Sequence, residues 1–206
     1  MLIIAHAGIA DMGALASAMA GHSHVFFDSS VWGAIDLLEL FRLVAPEQIL
    51  YASDYPYGQQ PASLLIALRT AKRAGYDDAH LRALLAGNAK RIADGAALPP
   101  PTAPIGPESL DQPLQFARIH QYVTMAIPLL WTEQPDTIGV LGLALNACDD
   151  GGAHSETTAQ IARLLAAAQA LWQTLPGIDD PLEQRATGRL AFRLLHLADI
   201  EAVTAV

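Results

Sequence analysis

Two residues early in the chain have the chemistry and the placement to work on a substrate. They are His6, in Ile4-Ala5-His6-Ala7-Gly8, and Asp54, in Ile49-Leu50-Tyr51-Ala52-Ser53-Asp54. Imidazole titrates close to neutral pH and so accepts and returns protons there. A carboxylate at the end of an apolar run costs free energy unless a cation, a proton or hydrogen-bond donors satisfy it. Asp54 also suits a purely structural role, capping the turn ahead of Pro56. Which reading holds depends on whether the elements carrying the two residues bring them together.

Ile49 to Ala52 is an apolar run of strand length, cut off by the turn-forming Ser53-Asp54-Tyr55-Pro56, as in a strand buried on both faces of a parallel sheet. Two earlier runs have the same shape: Leu2 to Ala5 leading into His6-Ala7-Gly8, and Val25-Phe26-Phe27 leading into Asp28-Ser29-Ser30. Helical spacing lies between and after them. Met12, Leu15, Ala16 and Met19 mark a first helix that Gly21 stops, and Ile35, Leu38, Phe41 and Ala45 a second that Pro46 closes. A third begins at Pro61, with Leu64, Leu65, Leu68 and Ala71 expected inward, and ends near Gly75. A further helix is predicted from Asp78 to Ala86, with Asn88 expected to cap the last turn.

Strand and helix alternating in this way predict βαβ crossovers and a parallel sheet. Parallel strands end on one edge, so His6 and Asp54 are expected to converge on one cleft, with Ser29, Ser30 and Tyr57 as candidate lining.

Composition sets limits on partners. Of 206 residues, 52% are hydrophobic and only 16% charged, which describes a folded, core-rich chain. A net charge of −9, with no stripe of Lys and Arg, argues against nucleic acid. No apolar run approaches the ~20 residues that span a bilayer, and the opening residues lack the basic start of a secretory signal. The single Cys148 suits a reducing compartment, so the expected location is cytoplasmic. No strand is followed by a glycine-rich nucleotide-binding motif.

After Asp94 the composition changes. Pro99-Pro100-Pro101, Pro104 and Pro107 predict a stiff linker over 99–107 between an α/β part, 1–98, and a helical part, 108–206. Within the latter, Ser109-Leu110-Asp111-Gln112 reads as a capping box, followed by a periodic run to Ile127 that Pro128 ends or kinks. Thr137 to Ala147 is apolar nearly all round and is expected to be a buried central helix. Ser155 starts a helix with a stripe through Ile161, Leu164, Leu165, Ala168, Leu171, Trp172 and Leu175, and Asp180-Pro181-Leu182-Glu183 starts the last.

Three fragments in order, IAHAG, VFFDSS, and ILYASDYP followed by GNAKRI, resemble the C-terminal part of the amidohydrolase-related family over residues 2 to 94. These are metal-dependent (β/α)8 barrels that include aromatic-acid decarboxylases and dicarboxylate lactonases. The resemblance implies an α/β fold made of the last three strand–helix units of a barrel, followed by an all-α extension. It also implies a hydrolase or carboxy-lyase acting on C–N, C–O or C–C bonds of a small carboxylate-type substrate, through a metal-activated water or a metal-bound substrate. On this match Asp54 binds the divalent metal, zinc by preference, or takes a proton from its water, and His6 polarises the substrate or moves a proton.

The chain departs from the family in one large respect. Family members carry an HxH pair ending the first strand and another metal-binding His ending the fifth, whereas this chain opens on the strand matching the sixth. A complete barrel takes about 250 residues. The resemblance therefore implies a fragment without turnover of its own, whose two outer strands are open and favour a homo-oligomer or another partner. His22-Ser23-His24 has the letters of the pair but precedes a strand, which predicts the face opposite the site. His80, His120, His154 and His196 fall in helical or loop sequence and are expected to be packed or solvated. The competing reading is a non-catalytic binding or assembly module whose helical part is an interaction domain.

Overall fold

The computed structural model describes residues 1–31, 33–58, 60–106, 112–132, 137–149 and 154–205. The chain divides into two compact units, Met1–Leu110 and Asp111–Val206.

The first unit is built on three parallel strands in the order β1-β2-β3: β1 (Leu2–Ile4), β2 (Val25–Asp28) and β3 (Ile49–Leu50). Leu2 lies opposite Val25, Ile4 opposite Phe27, and Asp28 opposite Leu50. The parallel sheet and the mixed α/β class agree with the sequence reading, and the unit as a whole is mostly helical.

A tight turn over Ala5–Asp11 and helix α1 (Met12–Ala18) join β1 to β2. Helix α2 (Ala34–Leu43) joins β2 to β3. Helix α3 (Gln60–Arg73) follows β3, and α4 (Asp78–Arg82) and α5 (Asn88–Ala93) are joined by a wide turn over Ala83–Gly87. Phe26, Phe27, Leu37, Leu40, Phe41 and Ile49 are almost fully buried around the sheet. Both faces of β2 are covered, as expected of a central parallel strand.

Several expectations need correction. Ile35 on α2 and Leu64 and Leu65 on α3 are exposed, and α3 buries Ile66, Ala67, Thr70 and Ala71 instead. A run this rich in Leu and Ala offers more than one apolar stripe, so composition did not decide which stripe is buried against its neighbours, α2 among them. Asn88 does not cap a helix end. It is buried and donates its amide to the carbonyls of Pro46 and Ile49, at 2.8 and 2.9 Å.

That clamp also changes the account of the sheet edges. The Leu50 carbonyl accepts from Ser29 on β2, so the polar groups of Ile49 and Tyr51 point the other way. There Asn88 takes the Ile49 carbonyl, and the Leu84 carbonyl accepts from the Tyr51 N–H at 3.2 Å. The outer edge of β3 is thus closed by the following helices. On the far side of β1 no strand lies among the described residues, and Leu2 and Ile3 are exposed on its two faces. One edge is open, where two were expected.

The proline-rich stretch is tied to the first unit. Thr102 donates its N–H to Glu47, and Gly106 exchanges hydrogen bonds with Arg42 through its N–H and carbonyl.

The second unit contains the helices α6 (Leu114–Trp131), α7 (Thr137–Cys148), α8 (Ser155–Thr174) and α9 (Pro181–Thr204). Phe116, Ile119, Val123, Leu141, Ile161, Leu165 and Leu195 share its core. Asp180 caps α9 by accepting from Leu182 N–H at 2.9 Å, with Pro181 in the first turn, as predicted. Helix α6 runs through Pro128 to Trp131. Helix α7 buries Thr137, Leu141, Ala144 and Cys148 but leaves Ile138 and Leu143 exposed, so it is not buried all round. Burial pushes the Cys148 thiol up to about 11, which keeps it protonated and unreactive at neutral pH. Of the proposed capping box, Ser109, Leu110 and Asp111 lie outside the described residues, and Gln112 donates to the Ala202 carbonyl.

Candidate active site

Because the strands are parallel and adjacent, their carboxyl ends lie on one edge of the sheet, and each end is polar. Neighbouring strands stand about 4.8 Å apart, so the ends of β1 and β3 are separated by roughly 10 Å across β2. Hydrogen bonds between side chains and backbone lace the three ends together.

At the end of β1 the chain turns through three successive left-handed residues: His6 (φ 52°), Ala7 (φ 54°) and Gly8 (φ 61°). Glycine takes that conformation freely, but each residue with a Cβ costs about 1–2 kcal/mol there. The turn is held by Asp28 at the end of β2. Asp28 Oδ1 accepts from His6 N–H at 2.9 Å, from Ser30 N–H at 3.1 Å, and from the Ser30 hydroxyl through a short bond. The His6 ring places Nδ1 at 2.9 Å from both the Ser30 hydroxyl and the Ser30 carbonyl. Ser30 is buried and the imidazole is exposed.

The end of β2 is joined in turn to β3. Ser29 Oγ accepts from the Ala52 N–H at 3.1 Å. Beyond Ala52, Asp54 has left-handed backbone as well, with φ 56°. Its carbonyl accepts from Gly58 N–H at 2.7 Å, which closes the loop. Ser63 donates to the Ser53 carbonyl, and Tyr51 donates its hydroxyl to Gln60. Burial pushes the Tyr51 phenol above its usual range, so it stays a donor. A cavity of about 460 Å³ opens beside this loop, lined by Tyr55, Pro56, Gly58, Gln60 and Pro61.

The topology therefore puts His6 and Asp54 on one edge, on either side of Asp28 and Ser30. Ser29 and Ser30 serve as ties between strand ends, while Tyr57 is largely exposed. The sequence reading named Asp28 only as part of a polar strand end. Its central place depends on bonds to residues 22 positions away, and the only local signal was the D-x-S spacing that lets one carboxylate hold the Ser30 amide and hydroxyl.

The remaining histidines lie elsewhere. His22 and His24 precede β2, at the opposite end of the strands, and both are exposed. In the first unit the His80 ring is tilted against Tyr76; in the second, His154 packs on Phe116 and His196 on Phe192, while His120 Nδ1 lies 2.6 Å from Asp199 Oδ1.

Among the described residues no group of three or more His, Cys, Asp and Glu side chains lies together as a metal would require. His6 and Asp54 fall short of the three or four protein ligands that zinc takes, and Asp28 Oδ1 is filled by donors. These residues alone do not make a metal site. Among the described residues no helix is long and apolar enough to cross a membrane.

Residues 1–92 match the model of a family described as Amidohydrolase. The match occupies the N-terminal part of the chain, the part that carries the three strands and both candidate residues. No curated protein and no solved structure matches the chain.

Proposed function

We propose, from the premise that residues 1–92 are an amidohydrolase-related segment, that this segment carries part of the active site of a metal-dependent hydrolase or carboxy-lyase, with His6 and Asp54 as its working pair. One observation supports the choice of residues above the others. Among the described residues, the non-glycine positions with positive φ are His6, Ala7 and Asp54. Backbone strain of this kind is kept where the surroundings hold it in place, and it concentrates at functional sites. Here it falls on the two residues that the chemistry had already selected.

In this reading the three strand–helix units are the last three of a (β/α)8 barrel, which the parallel order β1-β2-β3 supports. Asp54 supplies a carboxylate to a divalent metal, zinc by resemblance, and His6 moves a proton to or from a small carboxylate-type substrate. The metal would supply Lewis acidity or a water of lowered pKa. Since the residues present do not complete a metal site, the chain by itself is proposed to lack turnover.

The test is direct. With zinc supplied, the purified chain is expected not to turn over aromatic carboxylates or lactones, and to bind zinc weakly, with that binding lost in Asp54→Asn. Metal-dependent turnover by the chain alone overturns the claim that its residues do not complete a metal site. Zinc binding that survives Asp54→Asn removes Asp54 from the site.

A second reading, a binding or assembly module, is favoured by the shortage of ligands together with the open edge of β1, where Leu2 and Ile3 are 51% and 46% exposed. An apolar strand exposed on both faces and along one edge suits pairing with another chain. Sedimentation of the wild type against Ile3→Lys tests this second reading. Loss of an oligomer in the variant supports assembly, and a monomer in both removes it.

A further inference from the structure

The hydrogen bonds around His6 fix more than its position. The Ser30 carbonyl is an acceptor only, so the ring nitrogen 2.9 Å from it must be the donor. The Ser30 hydroxyl leads to the same assignment independently. Its proton goes to Asp28 Oδ1, which leaves Oγ as an acceptor facing Nδ1. Both partners therefore require a proton on Nδ1, and a neutral imidazole with Nδ1–H has its lone pair on Nε2. No described contact engages Nε2, and the ring is exposed at the edge where the strands end.

We propose that Asp28 and Ser30 are positioning residues that hold His6 as the Nδ1–H tautomer, with Nε2 presented at the edge where the strands end as the nitrogen that accepts a proton. A proton taken by Nε2 from an O–H or C–H of a bound molecule leaves an imidazolium whose Nδ1–H still points at Ser30, with the Asp28 carboxylate one hydrogen bond further on. Asp28 also accepts the backbone N–H of His6, so the same oxygen sets the ring's tautomer and holds the left-handed turn from which the ring projects. The direction is opposite to a nucleophilic serine. A serine whose hydroxyl donates to the imidazole is activated for attack, whereas Ser30 donates away from it and acts as a relay.

The proposal rests on His6 being the proton-transfer residue only for its functional meaning. The tautomer is measured with neither metal nor substrate, so its failure is distinguishable from failure of the zinc-binding test. The experiment is 15N–1H correlation of the ¹⁵N-labelled full chain above pH 8, with His6 assigned by the loss of its signals in His6→Gln. The wild type is expected to show a protonated Nδ1 and an unprotonated Nε2. In Asp28→Ala the Ser30 hydroxyl proton is released and can turn to Nδ1, so the ring is expected to shift toward Nε2–H. Ser30→Ala removes one of the two acceptors and is expected to shift part of the population the same way. Asp28→Asn keeps an acceptor oxygen and is expected to restore Nδ1–H. A wild-type His6 found as Nε2–H overturns the assignment, whatever the variants do. A tautomer unchanged in a folded Asp28→Ala and in Ser30→Ala removes both residues from the role.

Discussion

The N–H of Gly58 donates to the carbonyl of Asp54 at 2.7 Å, and this bond closes the loop on which the carboxylate stands. A Cβ at position 58 would lie 1.8 Å from the Ser53 carbonyl oxygen, so only glycine fits. Backbone atoms cannot yield as the tip of a side chain can. Gly58→Ala is expected to open the loop and lower the stability of the first unit by about 2–4 kcal/mol. Urea unfolding read by amide exchange within residues 1–110 measures the loss, and a difference below ~0.5 kcal/mol contradicts the geometry.

The clamp made by Asn88 is expected to matter nearly as much. Its amide satisfies two carbonyls of the segment leading into and through β3. Asn88→Ala leaves both buried acceptors without that donor and is expected to cost about 2–3 kcal/mol. Gln48 does the same at the start of β2, donating to the carbonyls of Met19, His22 and Val25. If Asn88→Ala is neutral, the β3 edge is held by something else.

Alkaline stability is expected to carry the mark of Tyr76. The phenol is buried against Phe41 with no hydrogen-bond partner among the described residues for its hydroxyl. Burial, aided by the Glu47 charge, raises its pKa above the ordinary value near 10. The folded state then holds the phenolic proton more tightly than the unfolded chain does. Tyr76 has no effect on pH dependence below about pH 10, and stability falls as pH rises above it. Tyr76→Phe is expected to retain full stability at pH 7 and to lose less than the wild type between pH 9.5 and 11 in denaturant titrations. Identical slopes in the two proteins would show the phenol to be solvated.

Acid has a corresponding target in the second unit. Burial lowers the pKa of His196, against an opposing pull from Asp199, so the folded unit favours the neutral ring. The unfolded chain binds a proton there more readily, and the stability associated with the neutral ring is lost as pH falls below about 6.5. His196→Phe keeps an aromatic ring beside Phe192 and is expected to flatten the loss between pH 6.5 and 5, followed by thermal melting. A variant with the same acid limb as the wild type assigns the effect to other groups.

Much of the first unit was legible because its signals are local. The strand–helix alternation and the polar strand ends, like the Asp180-Pro181 helix start in the second unit, are written in periods and in turn-forming residues a few positions apart. The placement of His6 and Asp54 just beyond the ends of β1 and β3 was legible for the same reason. The buried face of α3 was not, since Leu64, Leu65, Ile66 and Leu68 are all apolar and only the elements packed on the helix, α2 among them, choose between them.

The sequence by itself determined which segments become strands, that they run parallel, and that an imidazole and a carboxylate stand where two of them end. Tertiary structure alone decided that Asp28 and Ser30 hold the imidazole, that Asn88 closes one sheet edge, and that the edge of β1 stays open. The reason is physical. Those bonds join residues 22 to 42 positions apart, and no periodicity or turn signal specifies a partner that only the folded sheet brings within 3 Å.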